Sequence, residues 1–277
     1  MFAQTGRPYP WHGMRAIHTF DNGVKVYDDH LLPIQRDRYR VHNVHESEEE
    51  ELFIRIIRAL TPGETFLNIG AAIGYYPLLA RRLSGSLHIH AVEALPRHRS
   101  LFLENIRLNA HTPEEFTIHP EAIAAGNGHA ELMDRSFGSG LLARGSGPEE
   151  RSMRGKIKAL LHGWGIRRDP RRITVPTLTL DSLLERLPDR RAGLCQMDVQ
   201  GFEVDVLTSG STAMREARIG SFLIGTHSAR LHAQCIELLR HYSYSIDFDE
   251  QDTQTQPDGI IVASKGRDLG ALSAIQG

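Results

Sequence analysis

Residues 65–76 read TFLNIGAAIGYY. The apolar run from Phe66 to Ile69 stops at Gly70, a second glycine follows at Gly74, and from Tyr75 to Leu83 the apolar spacing becomes helical. A strand, a glycine turn and a helix start, in that order, bring backbone amides up to a ligand with no side chain in the way. The next short run, Leu87 to Val92, ends in an acid, Glu93. In a doubly wound fold an acid at the tip of the second strand holds the two hydroxyls of a ribose. The two glycines are spaced G-x-x-x-G rather than as the G-x-G-x-x-G dinucleotide fingerprint, so the turn alone says little; the acid that follows points to an adenosine-containing cofactor. Asn68 stands where such sites usually carry an acid, and it accepts a hydrogen bond through its carbonyl without bringing charge.

Outward from this stretch the chain alternates strands and helices. Upstream, residues 16–27 read as a hairpin in which Asn22-Gly23 supplies the positive φ angles of a two-residue turn. A capping box at Ser47 and Glu50 opens a helix with Leu52, Phe53, Ile56, Ile57 and Leu60 on one face, stopped at Pro62-Gly63. This helix is expected to pack under the strand at 66–69. Downstream, Pro96 to Asn109 is helical in pattern, and 116–124, FTIHPEAIA, predicts a third strand running into a loop. Gly126 to Met133 reads as a short hairpin arm, and 173–180, ITVPTLTL, as an extended segment leading to Asp181, a cap for the helix Ser182 to Leu187. Leu194 to Val199 and Ile219 to Ile224 are core strands, with helices opening at Gly201 and spanning Leu231 to Leu239; Tyr244 to Phe248 and Gly259 to Ala263 close the chain without a helix between them. The pattern predicts an α/β fold: a mostly parallel sheet covered by helices on both faces, with an antiparallel hairpin at one edge.

With 32 basic and 34 acidic residues the net charge is −2, which gives no overall pull toward nucleic acid. The composition, 40% hydrophobic and 24% charged, is that of a soluble protein with a substantial core. No apolar run is long enough to span a bilayer and no charged-then-apolar signal opens the chain, so a cytoplasmic protein is expected. Cys195 and Cys235 lie far apart and fit a reduced pair better than a disulfide. Between residues 134 and 172 the regular pattern breaks down. Ile157, Leu160, Leu161 and Trp164 fall at helical spacing among Arg151, Arg154, Lys156, Lys158, Arg167, Arg168, Arg171 and Arg172. Such a basic insert fits a lid over an anionic substrate, a membrane-surface helix, or a solvated helix with its apolar side on the body. Residues 1–45 form an N-terminal arm and hairpin, and 46–277 the main domain with this variable insert.

Three blocks carry a family resemblance: NIGAAIGYY at 68–76, ENIRLN at 104–109 following Glu93, and QMDVQGFEVDVLTSG at 196–210. Over about 44–265 the chain resembles the FkbM-type S-adenosylmethionine-dependent methyltransferases, and Asp198-x-x-Gly201-x-Glu203 followed by Val206-Leu207 is that family's signature. The resemblance implies a Rossmann-like class I methyltransferase with a seven-stranded sheet, bound S-adenosylmethionine, and methyl transfer to an oxygen, commonly of a sugar or natural product. It also shows departures. The family usually has aspartate at position 68, asparagine at 72, a proline at 94, lysine at 196, glutamate at 200, and a glutamate two residues before His227, where this chain has Gly225.

In an open parallel sheet the ligand lies beyond the carboxyl ends of the strands. Asp198 and His227 stand at two such ends. A hydroxyl attacking a sulfonium methyl must lose its proton, and a histidine accepts one near neutrality. His227 is therefore the candidate base, and Asp198 the group that orients it or holds the acceptor; a strand-end histidine satisfied by backbone and a helix-capping aspartate are the plainer alternatives. Glu203, in the first turn of the following helix, reads as structural or paired with the helix dipole. For the cofactor the candidates are Gly70 and Gly74 for backbone approach, Asn68 at the methionine end, Glu93 on the ribose, and Glu121 with Ala122 beside the adenine. Asp198, His227 and His232 offer oxygen and nitrogen donors to a divalent ion, but the spacing is no metal signature and a metal is not favoured. The expected partner is a small hydroxylated acceptor. A cofactor-binding protein without catalysis, and an N-methyltransferase on an amine or macromolecule, are the alternatives; the oligomeric state is open.

Overall fold

The structure of the 277-residue chain is a computed structural model that describes residues 15–134, 140–141, 171–251, 259–267 and 269. From the N-terminus, β1 (Ile17–Thr19) and β2 (Lys25–Tyr27) are followed by α1 (Pro33–Tyr39) and α2 (Ser47–Ala59). Then come β3 (Thr65–Ile69), α3 (Tyr75–Leu83), β4 (His88–Val92), α4 (Pro96–Leu108) and β5 (Thr117–His119). A set of short strands follows: β6 (Ala122–Ile123), β7 (Gly128–Asp134), β8 (Gly140–Leu141) and β9 (Arg171–Leu178). The rest comprises α5 (Leu180–Leu184), β10 (Ala192–Met197), α6 (Glu203–Ser209), α7 (Ser211–Arg215), β11 (Ile219–Thr226), α8 (Ala229–His241), β12 (Ser245–Glu250) and β13 (Gly259–Ser264).

Seven strands form the main sheet in the order β12-β13-β11-β10-β3-β4-β5. The pairs among β11, β10, β3, β4 and β5 are parallel, and β13 runs antiparallel to both β11 and β12, making the expected edge hairpin. The central strands are apolar on both faces because helices cover both. Along β3, Phe66 packs into one core with Phe53 and Ile56 of α2 and with Leu78 and Leu79 of α3. Leu67 and Ile69 face the opposite core, with Val206 and Leu207 of α6 and Leu239 of α8. Phe20, Val24 and Val26 of the N-terminal hairpin belong to the first core. This alternation places Asn68, Gln196 and Asp198 on the face that α2 covers.

Several local readings change. In the hairpin only Gly23 takes a positive φ, +84°; Gly23 N–H bonds to Phe20 O and Phe20 N–H to Val24 O. The connection is therefore the longer loop in which a single glycine absorbs the left-handed angle, rather than a two-residue turn. Glu46, not Ser47, caps α2, and no side chain bonds there. Glu50 turns inward instead, accepting hydrogen bonds from Asn22 Nδ2 at 2.8 Å and from the Tyr75 hydroxyl, because a buried carboxylate beside two donors gains more from them than from one exposed cap amide. Thr179 caps α5 through its Oγ1, and Asp181 accepts from the amides of Thr212 and Ala213, so it caps α7 across a loop. The segments 126–133 and 173–180 are two strands of one arm: β7 pairs antiparallel with β9 from Gly128↔Thr177 to Asp134↔Arg171, in a sheet ordered β6-β9-β7-β8. The basic stretch from Met153 to Trp164 lies outside the described residues.

Candidate active site

The carboxyl ends of β3, β4, β10 and β11 meet on one side of the sheet. Gly70 ends β3 with φ +88°, and a Cβ there would collide with the backbone carbonyl of Asp198. The two strand ends are thus pressed together at a point only glycine allows. Gly74, at φ +87°, begins α3, and a Cβ would overlap the ring of Phe102, which is fully buried. Its close approach is to α4, so its first duty is packing of the turn. Gly74→Ala should destabilise the fold by roughly 2–4 kcal/mol, from overpacking plus the left-handed angle; an unchanged urea midpoint would contradict this account of the turn.

Glu93 follows β4 and reaches back over the turn. Its Oε2 accepts the Ala72 amide at 2.7 Å and its Oε1 the Leu95 amide at 2.8 Å, while His98 Nδ1 lies 3.6 Å from Oε1. Ala72 itself has φ +47°. The carboxylate, 7% exposed, pins the glycine turn to the start of α4. From α4, Asn105 Nδ2 donates to Ile73 O at 3.0 Å, and its Oδ1 accepts from the Tyr27 amide, tying the turn to the N-terminal hairpin as well. Glu121 and Ala122 flank this region: Ala122 packs with Leu95, and Glu121 pairs with Arg186 at 2.7 Å through Oε1. The Oε2 of Glu121 is buried with no hydrogen-bond partner among the described residues.

Immediately after β10 and β11 stand Asp198 and His227, as expected, and between them a third group whose local sequence suggests only a structural or helix-dipole role. Glu203, fully buried at the start of α6, accepts from the Gly201 amide at 2.8 Å and from His227 Nδ1 at 2.8 Å through the same oxygen. A buried carboxylate can only accept, so it fixes Nδ1 as the donor and turns Nε2 outward. There Nε2 lies 3.3 Å from Asp198 Oδ1, which also accepts from Gln200 Nε2 at 3.1 Å. Desolvation in the cleft, opposed by His227 and helped by Glu46 and Glu203, raises the Asp198 carboxyl above its ordinary range; its side chain keeps 36% exposure, so water tempers the effect. His227 is therefore clamped between two acids.

Beneath this cleft Asn68 and Gln196 sit side by side in the parallel register of β3 and β10. Asn68 Nδ2 donates to Gln196 Oε1, and Gln196 Nε2 donates to Glu49 Oε1 of α2 at 2.9 Å. Asn68 is 2% exposed, and its Oδ1 has no partner among the described residues. Glu49 also hydrogen-bonds Glu46; burial, with Glu46 and then Asp198 adding, pushes its carboxyl well above the ordinary carboxylate range. A Cβ on Gly225 would stand 3.6 Å from Glu49 Oε2 and 3.8 Å from Asp198 Cβ, so a carboxyl from α2 occupies the space beside the strand that lacks an acid. Nothing in the local sequence of α2 marks Glu49; only its place on the helical face with Phe53 and Ile56 could have brought it toward the sheet.

His232 is turned away from the cleft, with Nδ1 2.8 Å from Thr226 Oγ1 and Nε2 2.7 Å from Asp249 Oδ1. Among the described residues no group of three His, Cys, Asp or Glu side chains has the geometry to hold a metal ion. Cys195 and Cys235 are both buried free thiols, and burial raises the Cys235 thiol to about 12. No helix among the described residues is long and apolar enough to cross a membrane.

No curated protein sequence matches the chain. Its fold is similar to that of the methyltransferase FkbM from Methylobacillus flagellatus KT, at 12% identity and a TM-score of 0.50, over 73% of this chain and 44% of that one. This chain thus spans less than half the length of that protein. It is also similar to a precorrin-6y C5,15-methyltransferase from Geobacter metallireducens GS-15, at 13% identity and a TM-score of 0.43 over 78% of this chain and 88% of that one. A ribosomal protein L11 methylase from Lactobacillus delbrueckii subsp. bulgaricus gives 11% identity and a TM-score of 0.45, with 82% of each chain covered. The methyltransferase FkbM domain matches residues 68–246, nearly two thirds of the sequence, and with the strand order and the signature at Asp198 to Leu207 in place, the chain belongs to this family of S-adenosylmethionine-dependent methyltransferases.

Proposed function

We propose that the protein methylates a hydroxyl of a neutral small molecule, a sugar or glycosylated metabolite, with S-adenosylmethionine as donor. The observation that carries this reading is His227 held between Glu203 and Asp198 beside the glycine turn. The residues around the turn fit the cofactor. Glu93 keeps free lone pairs for a ribose, the orphan Oδ1 of Asn68 suits the ammonium of the methionine end, and the orphan Oε2 of Glu121 suits an adenine amino group. When bound, the cofactor supplies an electrophilic methyl group. Nε2 of His227 would take the proton of the acceptor's hydroxyl, freeing that oxygen to receive the methyl group. Glu203 and Asp198 stabilise the imidazolium that results, which is where charge develops.

The acceptor class follows from charge. Glu46 and Glu203 both bear on Asp198 at the mouth of the cleft, and such a grouping of acids favours a neutral molecule with several hydroxyl donors over a phosphorylated one. The test is transfer of labelled methyl from S-adenosylmethionine to a panel of methyl glycosides and to the same sugars as phosphate monoesters. Transfer to the neutral set, with the monoesters at least about 10-fold slower, is expected. Equal use of the monoesters would remove the charge argument, and tight cofactor binding without transfer to any acceptor would favour a binding protein.

A further inference from the structure

We infer that Glu49 and Gln196 are positioning residues that set the orientation of the Asn68 amide, so that an oxygen rather than an NH2 group faces the cofactor's amine. This rests on the reading that Asn68 meets the methionine end of S-adenosylmethionine.

An asparagine is ambiguous in a way an aspartate is not, since rotating its amide by half a turn exchanges an acceptor for a donor. Facing an ammonium, the donor orientation is repulsive. Something must therefore hold the amide one way round. The structure contains a chain of three side chains that does so. Glu49 Oε1 is an acceptor, so the Gln196 nitrogen faces it, at 2.9 Å. That leaves the Gln196 oxygen toward Asn68, which must present its nitrogen, and the Asn68 oxygen is left over, buried and without a partner among the described residues. A proton retained by Glu49 does not reverse the order, because it has a second acceptor, Glu46, to bond to. Reversing the chain would place two carbonyl-type oxygens against each other at Gln196 and Glu49 and leave a buried NH2 unpaired, at a cost comparable to losing a charged hydrogen bond. An acid 147 positions from Gln196 in sequence thus acts on the cofactor through two amides, without touching it.

The test is calorimetry, which needs no acceptor and no turnover. S-Adenosylhomocysteine and its analogue lacking the amino group are titrated into the intact wild-type protein and into Glu49→Gln, whose side-chain amide can satisfy Gln196 in either orientation. Gln196→Met, which cuts the chain at its middle, is the second variant. Wild type should prefer S-adenosylhomocysteine over the deamino analogue by about 10-fold or more. Both variants should lose most of that preference while binding the deamino analogue as wild type does. A variant that weakens both ligands equally would show a merely structural role, and one that weakens neither would show that Asn68 needs no support; either result overturns the inference. Absence of heat with both ligands in wild type would instead remove the cofactor reading beneath it, and this inference with it.

Discussion

Glu203→Gln should slow methyl transfer by about 10²-fold or more while cofactor affinity stays within a few-fold of wild type. The substitution is nearly isosteric and keeps an oxygen able to accept from the Gly201 amide, so the fold should survive. What it removes is the buried negative charge against His227 Nδ1. The retained oxygen still accepts from Nδ1, so the tautomer is kept, but the imidazolium formed on proton transfer loses one of its two counter-charges. His227→Asn is the companion variant: its amide nitrogen can stand near the place of Nδ1 and still donate to Glu203, yet it takes no proton. It should be at least as slow as Glu203→Gln. The reading that separates catalysis from packing is the pH–rate profile. Removing a carboxylate from beside the base disfavours its protonated form, so the acid limb of kcat/KM should move to lower pH in Glu203→Gln and vanish in His227→Asn. Unmoved limbs in both would make the Glu203–His227–Asp198 row a structural clamp.

This row also shows what a sequence can and cannot carry. Strand ends are legible, because an apolar run that stops is visible one residue at a time; that, with the family resemblance, is why Asp198 and His227 can be placed at the ends of two core strands. Glu203 lies in the first turn of its own helix, where an acid has a sufficient local explanation in the dipole. Its contact with His227 spans 24 residues and depends on β11 lying next to β10, which is a property of strand order and not of either segment. Glu49 is harder still. On α2 it looks like one of several acids at a helix start, and its burial follows only from the packing of Phe53 and Ile56 into one core with Phe66. Asp181 failed in the same way, since a cap for the next residue and a cap for a helix thirty positions on are the same residue type. The fold itself was legible because its signals repeat: alternating apolar strands and helices, with one glycine turn and one closing pair, leave few arrangements open.

The departures from the family pattern become coherent in three dimensions. Where the family resemblance implies an aspartate and a lysine, at positions 68 and 196, this chain has two amides in register and in contact. A neutral pair there carries no net charge and avoids the desolvation cost of burying two ions. Gly225 lacks the acid, and the carboxyl of Glu49 stands beside it from the other layer. Gln200 donates to Asp198 instead of repelling it.

Glu93→Gln is expected to weaken S-adenosylhomocysteine binding by about 10-fold to 100-fold, the loss of a charge-assisted pair to a buried ribose. A carboxylate offers about four lone-pair positions. Two are used in the protein itself, one on each oxygen, by the amides of Ala72 and Leu95. Among the described residues one position on each oxygen makes no hydrogen bond, with His98 Nδ1 3.6 Å from Oε1, and this matches the two adjacent hydroxyls of a ribose. Glutamine keeps one acceptor oxygen and sets an NH2 group against the other backbone amide, so it should also destabilise the glycine turn, by about 1–3 kcal/mol for the buried amide left unpaired. Because stability and affinity fall together, a plain loss of binding would not identify the ribose. The decisive comparison adds the 2′-deoxyadenosyl analogue of S-adenosylhomocysteine. If Glu93 holds the ribose, wild type should discriminate against the deoxy ligand by about 10-fold and Glu93→Gln hardly at all. Equal discrimination in both proteins, with the expected fall in stability, would leave Glu93 as a clamp on the turn and move the ribose contact to another group.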